Sequence, residues 1–190
     1  MDTNSDHQVG VNAQQADLAE PRFSGWAGGV FVAEYPDLKQ VSLYPCPKEE
    51  VKAIGNPRDE PILRASSYWF DPPSYLPPGT FDWTYPAGST CGNDAAFGVH
   101  REFLIDGGAE VSIARISHRY LSGNFSQKRV TTGTIAGHEA VIIPPYTQDG
   151  YGDCHIVVLE KSGGTIQLAG HDLTLSELTK IAESLVQDLS

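Results

Sequence analysis

The C-terminal segment carries the clearest pattern of apolar and polar positions in the chain. Its apolar residues recur at the spacing of one helix face, with polar residues between them: Leu178, Ile181, Ala182, Leu185 and Leu189. Thr174 and Glu177 stand ahead of this stripe at the spacing of a capping box, in which the threonine caps the helix and the glutamate reaches back to it. The pattern predicts an amphipathic helix within residues 172–190 that buries one face on a sheet.

Upstream of the helix, the apolar period shortens to the two residues that are typical of a strand. Three pairs of segments with this period are separated by short turns that contain glycine: 97–105 with 109–118, 130–135 with 139–143, and 154–160 with 165–169. Short strands are also expected at 30–33 and 40–44. Six antiparallel strands followed by one helix predict an α+β fold, a mostly antiparallel β-sheet with the C-terminal amphipathic helix packed on one face.

Residues 57–86 combine many prolines with many aromatic rings. The seven prolines exclude a central strand or a long helix through most of this segment. Seven aromatic residues fall between positions 68 and 85: Tyr68, Trp69, Phe70, Tyr75, Phe81, Trp83 and Tyr85. Such a density requires either burial in a core or a groove in which the rings stack on a sugar, a peptide or a lipid.

The irregular backbone of this segment limits how deeply its rings can be buried. Irregular backbone lies at the surface, because water there satisfies its N–H and C=O groups. We therefore expect Trp69 or Trp83 to line the main pocket or an exposed apolar patch. The candidate ligand-binding residues are Tyr68, Trp69, Tyr75, Trp83 and Tyr85.

The length and the N-terminal composition predict one domain preceded by a tail. The chain has 190 residues, 40% of them apolar, which fits a single globular domain. Residues 1–22 are expected to be a disordered acidic tail or tether, because positions 1–20 hold four acidic residues, no Lys or Arg and little to bury. Residues 23–190 then form a single α+β domain, with a Pro- and aromatic-rich half (23–96) and a half of hairpins plus the C-terminal helix (97–190).

The start of the chain leaves its cellular context open. The N-terminal segment lacks the basic start and the apolar run of a secretory signal, and no run of 18 apolar residues occurs. Met1 is the only methionine, which fits either a natural start or a chain from which a membrane tether has been removed upstream. The formal net charge of −11 disfavours general attraction to nucleic acid or to an anionic membrane surface, so no nucleic-acid partner is expected.

The three cysteines, Cys46, Cys91 and Cys154, lie far apart in the sequence. They form no Cys-x-x-Cys pair, so a zinc ribbon or a thioredoxin-type redox motif has no support. Isolated thiols and one disulfide both remain open. The candidate pair is Cys91 with Cys154, because each lies in or beside a loop where a bridge could fasten a long excursion to the sheet.

The sequence carries no recognisable catalytic motif. The signatures of serine hydrolases, zinc proteases and nucleotide-binding loops are all missing, so no catalytic residue is assigned. Paired carboxylates for glycoside hydrolysis would have to come from Asp71, Asp82 and Asp94 beside the aromatic cluster. The simpler interpretation of these three residues is that they cap turns.

Two metal hypotheses are weaker than their structural alternatives. His138, His155 and His171 lie near hairpin ends and could form a mononuclear site, but scattered histidines are more often surface or hydrogen-bonded structural residues. Asp149 and Asp153 lie in a Gly/Asp-rich loop that lacks the third carboxylate and the bidentate glutamate of a calcium loop. We therefore expect neither a metal nor another cofactor.

Three short motifs occur in a familiar order: Tyr-Leu-Pro-Pro-Gly at 75–79, Thr-Ile-Ala-Gly-His-Glu-Ala at 134–140, and Leu-Ser-Glu-Leu-Thr-Lys-Ile-Ala-Glu-Ser-Leu at 175–185. Together they resemble a bacterial family of unknown function, whose members are extracytoplasmic domains found behind the membrane span of anti-sigma factors or in lipoproteins. The resemblance covers roughly residues 68–188. It implies a location outside the cytoplasm and a binding or sensing role, and it supplies no catalytic residues.

These observations favour a non-enzymatic extracytoplasmic domain, periplasmic, secreted or membrane-anchored, that binds or senses something at the bacterial cell envelope. Its partner would be an envelope protein or a small apolar or carbohydrate ligand. The alternative is a secreted hydrolase, for example one acting on carbohydrate, without a recognisable motif. The two differ at the deepest cleft, which a binding domain lines with aromatic rings and an enzyme lines with at least two polar titratable residues.

Overall fold

The computed structural model describes residues 21–33, 45–123, 125–146 and 153–190. Within these ranges the chain forms a 3₁₀ turn (Lys48–Glu50), two α-helices and twelve β-strands. The helices are α1 (Glu60–Arg64) and α2 (Leu175–Asp188). The strands are β1 (Gly25–Ala27), β2 (Val30–Ala33), β3 (Val51–Ile54), β4 (Phe81–Asp82), β5 (Ala87–Cys91), β6 (Ala96–Leu104), β7 (Glu110–Ile116), β8 (Tyr120–Ser122), β9 (Thr131–Ile135), β10 (His138–Ile143), β11 (Cys154–Leu159) and β12 (Thr165–His171).

Nine of these strands form one main sheet. Their order is β3-β5-β6-β7-β12-β11-β10-β9, and β4 pairs with β6 beside β5. Every pairing in this sheet is antiparallel. The three predicted hairpins are β6–β7, β9–β10 and β11–β12, and the predicted α+β architecture is confirmed.

Helix α2 covers one face of the main sheet. The Glu177 N–H donates to Thr174 Oγ1 (3.2 Å) and the Thr174 N–H donates to Glu177 Oε2 (3.0 Å), so the predicted capping box is present. Hydrogen bonds from the Thr174 hydroxyl and backbone hold the pKa of Glu177 below its ordinary value. Four residues of the predicted stripe are buried in the larger core, against β11 and its neighbours: Leu178, Ile181, Ala182 and Leu185. The fifth, Leu189, is the C-cap of the helix.

A second, three-stranded sheet covers part of the opposite face. Its order is β1-β2-β8, and β2 runs parallel to β8. Apolar residues of this sheet meet Val141, Ile143 and Val157 of β10 and β11 in a separate buried cluster. The strand predicted at 30–33 is therefore present as β2, whereas the one predicted at 40–44 lies outside the described residues.

The candidate disulfide between Cys91 and Cys154 is wrong. Cys91 is bonded to Cys46, and Cys154 is a buried free thiol. β5, which ends at Cys91, lies four strand positions from β11, which begins at Cys154. At ~4.8 Å per strand that is about 19 Å, well beyond the reach of a disulfide. Burial raises the pKa of Cys154 to about 11, so the thiol stays protonated at neutral pH.

The predicted tail lies mostly outside the described residues, and its last two positions contact the domain. Arg22 forms an antiparallel bridge with Ser126. The Gln127 N–H also donates to the carbonyl of Pro21 (2.9 Å). The paired part of the chain therefore extends to residue 21, two residues before the predicted domain boundary.

Acid should destabilise the domain through two partly buried histidines, His118 and His155. Burial lowers the pKa of His118 and of His155 to about 4, whereas an unfolded histidine titrates near ~6.5. Between these pKa values the unfolded chain binds more protons, so stability present at neutral pH is lost as the pH falls through this window. At pH 5 each ring should cost on the order of 2 kcal/mol. The measurement is the free energy of unfolding in urea at pH 7 and at pH 5.

Two variants separate this effect from general acid sensitivity. His155 packs edge-on against Phe125 (4.9 Å between ring centroids), and His155→Leu should remove about 2 kcal/mol of the drop between the two pH values. His171 is exposed, and its hydrogen bond to Asp153 raises its pKa, so its contribution is present at low pH and is lost as the pH rises. His171→Asn should therefore not reduce the drop. An undiminished drop in His155→Leu would contradict the assignment.

Candidate functional site

The candidate site is a cleft of about 350 Å³ beside the β3–β5 edge of the main sheet. All of its lining residues except Arg101 come from the segment between β3 and β5, which includes α1 and the aromatic cluster. Arg101 enters from β6. One long excursion of the chain therefore builds both walls of the cleft, and the sheet supplies its base.

The first wall is α1, a single turn of helix held against the sheet. The Asp59 carboxylate accepts the backbone N–H of Gly55 (3.0 Å), which closes the turn after β3. Leu63 is buried and reaches the sheet at Gly88, where an added Cβ would lie 2.7 Å from the Leu63 side chain. Arg64 ends the helix on its exposed side and donates through Nε to Glu60 (2.7 Å). This packing places the Glu60–Arg64 pair at the cleft.

Trp69 forms a fixed part of the same wall as α1. The Arg64 guanidinium lies 4.5 Å from the centroid of its ring, within cation–π distance. Its indole N–H donates to Asp71 (3.3 Å), and its backbone carbonyl accepts from Arg115 on β7 (3.1 Å). Because a guanidinium already lies over the ring, Trp69 shapes the cleft more than it offers a free stacking surface.

Arg101 lies at the base of the cleft and joins the wall formed by α1 and Trp69 to the wall formed by residues 82–86. It is only 7% exposed, and it donates to the Asp82 carboxylate (2.9 Å) and to the carbonyl of Phe70 (3.4 Å). Its Nε is buried without a hydrogen-bond partner in the part of the chain that the structure describes. Arg115, on the adjacent strand β7, donates to the carbonyl of Trp69, the residue before Phe70, and pairs with Glu160 (2.8 Å). Two neighbouring strands thus hold consecutive carbonyls of the aromatic segment.

Trp83 and Tyr85 form the exposed side of the cleft. Their side chains are 57% and 59% exposed, although both are large aromatic residues. The backbone beneath them is held on both sides, since the Trp83 N–H donates to the carbonyl of Glu102 on β6 (2.9 Å) and β5 begins at Ala87, two residues after Tyr85. The two rings therefore stand in solvent on a fixed backbone, which is the form of an anchor for a ligand.

The structure brings three of the five candidate binding residues together at this cleft: Trp69, Trp83 and Tyr85. Tyr68 instead packs against the larger core. Tyr75 lies beside α2, where its N–H donates to the Ser184 hydroxyl (3.3 Å). Whether any of the five binds a ligand stays a prediction.

Sequence reasoning named Asp82 beside the aromatic cluster but missed the other charged residues of the cleft, Glu60, Arg64 and Arg101. Arg101 occupies an inward-facing position of β6 between buried Val99 and Phe103. An arginine in that register needs a buried partner, so its place in the alternating pattern was a usable signal. Glu60 and Arg64 carry no such signal, because an (i, i+4) pair on a short helix is usually a solvent-exposed surface feature.

The structure does not assemble the carboxylate set considered for glycoside hydrolysis. Of Asp71, Asp82 and Asp94, only Asp82 lines the cleft, where it is bonded to Arg101. Elsewhere, His100 Nε2 lies 2.7 Å from the Ser112 hydroxyl and 3.7 Å from a Glu102 oxygen on the uncovered part of the sheet. Because both contacts use the same nitrogen, the carboxylate does not orient the opposite nitrogen as it does in a catalytic triad.

The three histidines of the metal hypothesis make separate contacts. His138 Nδ1 faces the carbonyl of Leu159 (3.2 Å), His155 packs on an aromatic ring, and His171 pairs with Asp153 (2.6 Å). In the described ranges no three His, Cys, Asp or Glu residues are grouped so that they could hold a metal ion. Asp149 of the calcium hypothesis lies outside the described residues.

No helix among the described residues has both the length and the apolar character needed to span a bilayer. The Cys46–Cys91 disulfide is typical of proteins that fold in an oxidising compartment outside the cytoplasm.

Comparisons of the chain with protein-family models, with curated proteins and with solved structures found no match.

Proposed function

We propose that this protein is a non-enzymatic binding or sensing domain of the bacterial cell envelope, and that its ligand occupies the cleft at Trp83 and Tyr85. The observation that carries the proposal is the exposure of these two rings on a backbone fixed by the sheet. An aromatic side chain has only about two rotatable bonds, so a ring on a held backbone loses little conformational entropy on binding. Arg101 and Arg115 hold the wall of the cleft through the carbonyls of Phe70 and Trp69.

The envelope location rests on two observations. A disulfide between Cys46 and Cys91 fits a protein that folds outside the cytoplasm. The motif order from 75–79 to 175–185 resembles extracytoplasmic domains associated with anti-sigma factors and lipoproteins. An enzyme is disfavoured, since both carboxylates at the cleft, Glu60 and Asp82, are bonded to arginines that hold the walls.

The three tryptophans provide the test of this site. In a ¹⁵N–¹H spectrum each tryptophan gives one indole signal, and Trp→Phe variants assign Trp26, Trp69 and Trp83. We expect a soluble hydrolysate of bacterial cell envelopes to shift the Trp83 signal in a saturable way. Trp26 serves as the matched control, because it is similarly exposed (63%) but belongs to the separate three-stranded sheet. Absence of any shift, or an equal shift of Trp26, would refute the assignment of the cleft.

A further inference from the structure

We propose that the cleft binds a neutral oligosaccharide of gluco-configured pyranose rings. The inference rests on the proposed function, because it names the ligand class of the same cleft. It is carried by three properties: a balance of charge, a mixture of stacking rings with hydrogen-bonding groups, and an open, preformed shape.

The charges at the cleft cancel. Glu60 is paired with Arg64 (2.7 Å), and Asp82 is paired with Arg101 (2.9 Å). Two carboxylates and two guanidinium groups leave no net attraction for an ion of either sign. The protein as a whole carries −11, which repels an anionic polymer. A neutral ligand is the class that this balance favours.

The groups around the cleft match the two sides of a sugar ring. The exposed faces of Trp83 and Tyr85 can stack on the C–H face of a pyranose whose hydroxyls are all equatorial. Glu60 and Asp82 are 39% and 45% exposed, so their carboxylates remain accessible as acceptors. Arg64 uses Nε for Glu60, and its Nη groups make no hydrogen bond with any described residue. A sugar hydroxyl both donates and accepts, so it satisfies both kinds of group.

The same groups disfavour lipid and apolar peptide ligands. An acyl chain or an apolar peptide side chain would cover the Glu60 and Asp82 carboxylates without satisfying them, which is costly. A sugar replaces the water on these groups with its own hydroxyls.

The shape of the cleft favours a chain of sugars over a single one. Its volume is about 350 Å³, near the lower limit of small-molecule sites, and its aromatic side is open to solvent. Its walls are already held by Arg101 and Arg115 through the carbonyls of Phe70 and Trp69. An open, preformed cleft lets neighbouring rings of an oligosaccharide continue beyond it.

The test uses cellohexaose and chitohexaose, which are neutral and gluco-configured, with isothermal titration calorimetry and the indole signals as readouts. We expect saturable binding of at least one of them, with a shift of the Trp83 signal. Trp83→Ala and Tyr85→Ala should each weaken this binding about tenfold or more, and Trp26→Ala should leave it unchanged. Glu60→Gln keeps the shape of the side chain and should weaken binding by a smaller factor.

The controls separate the ligand class from the site. A hexamer of β-1,4-linked glucuronic acid, which keeps the gluco configuration but is anionic, should not bind, and binding as tight as that of the neutral hexamers would overturn the charge argument. If neither neutral hexamer binds while the envelope hydrolysate still shifts Trp83, the carbohydrate assignment is overturned and the proposed function stands. If no probe shifts Trp83, both are overturned. Thermal unfolding of each variant identifies one that has lost its fold, and two independent ring variants keep the test decisive.

Discussion

Leu185→Ala should lower the free energy of unfolding by about 2–5 kcal/mol. Leu185 is 1% exposed and lies in the larger core, where α2 packs on the main sheet. Truncation to alanine removes buried apolar surface and leaves a cavity that the surrounding strands fill only in part. Urea denaturation followed by circular dichroism measures the change.

Lys180→Ala is the matched control on the same helix. Lys180 is exposed, and alanine is a strong helix former, so this variant should change stability by about 0.5 kcal/mol or less. A similar loss in both variants would mean that α2 does not bury a single face.

The elements that local sequence determines were predicted well. The stripe from Leu178 to Leu185 and the box of Thr174 with Glu177 define α2 through residues no more than one or two turns apart. Each of the three hairpins likewise joins strands across a turn of a few residues. Periodicity and capping suffice where the interacting groups are close in the chain.

Pairings between distant segments could not be predicted in this way. β2 pairs with β8 through Phe31 and Tyr120, so the small sheet forms only when two remote segments meet. The partner of Cys91 depends on the order of strands in the main sheet, and the sequence pattern does not specify that order. The incorrect pairing of Cys91 with Cys154 follows from this, because each of these cysteines lies in or beside a loop that, from the sequence alone, could accept a bridge.

The candidate site was predicted in part. Aromatic density identified Trp69, Trp83 and Tyr85, since irregular backbone keeps such rings near the surface. The same argument could not place Tyr75, whose N–H bonds to Ser184, 109 residues away in the chain. The anchoring role of Arg101 and Arg115 depends on the loop that crosses β6 and β7, which is a tertiary feature.

Removal of the Cys46–Cys91 disulfide should lower the free energy of unfolding by about 2–4 kcal/mol. The bridge closes a loop with a sequence separation of 45 residues, which contains every residue that lines the cleft except Arg101. In the unfolded chain this closure restricts the conformations of the whole aromatic segment. The Cys46→Ser/Cys91→Ser double variant removes the bridge without leaving an unpaired partner, and urea denaturation without reductant compares it with the wild-type protein.

Thiol titration tests the pairing that underlies this expectation. Unreduced wild-type protein from an oxidising compartment, once denatured, should show one free thiol, from Cys154, and the double variant should also show one. Adding dithiothreitol should lower the stability of the wild-type protein towards that of the double variant and leave the variant itself unchanged. Three free thiols in the wild-type protein, or equal stability of the two proteins without reductant, would show that the bridge does not hold the cleft segment to the edge of the sheet.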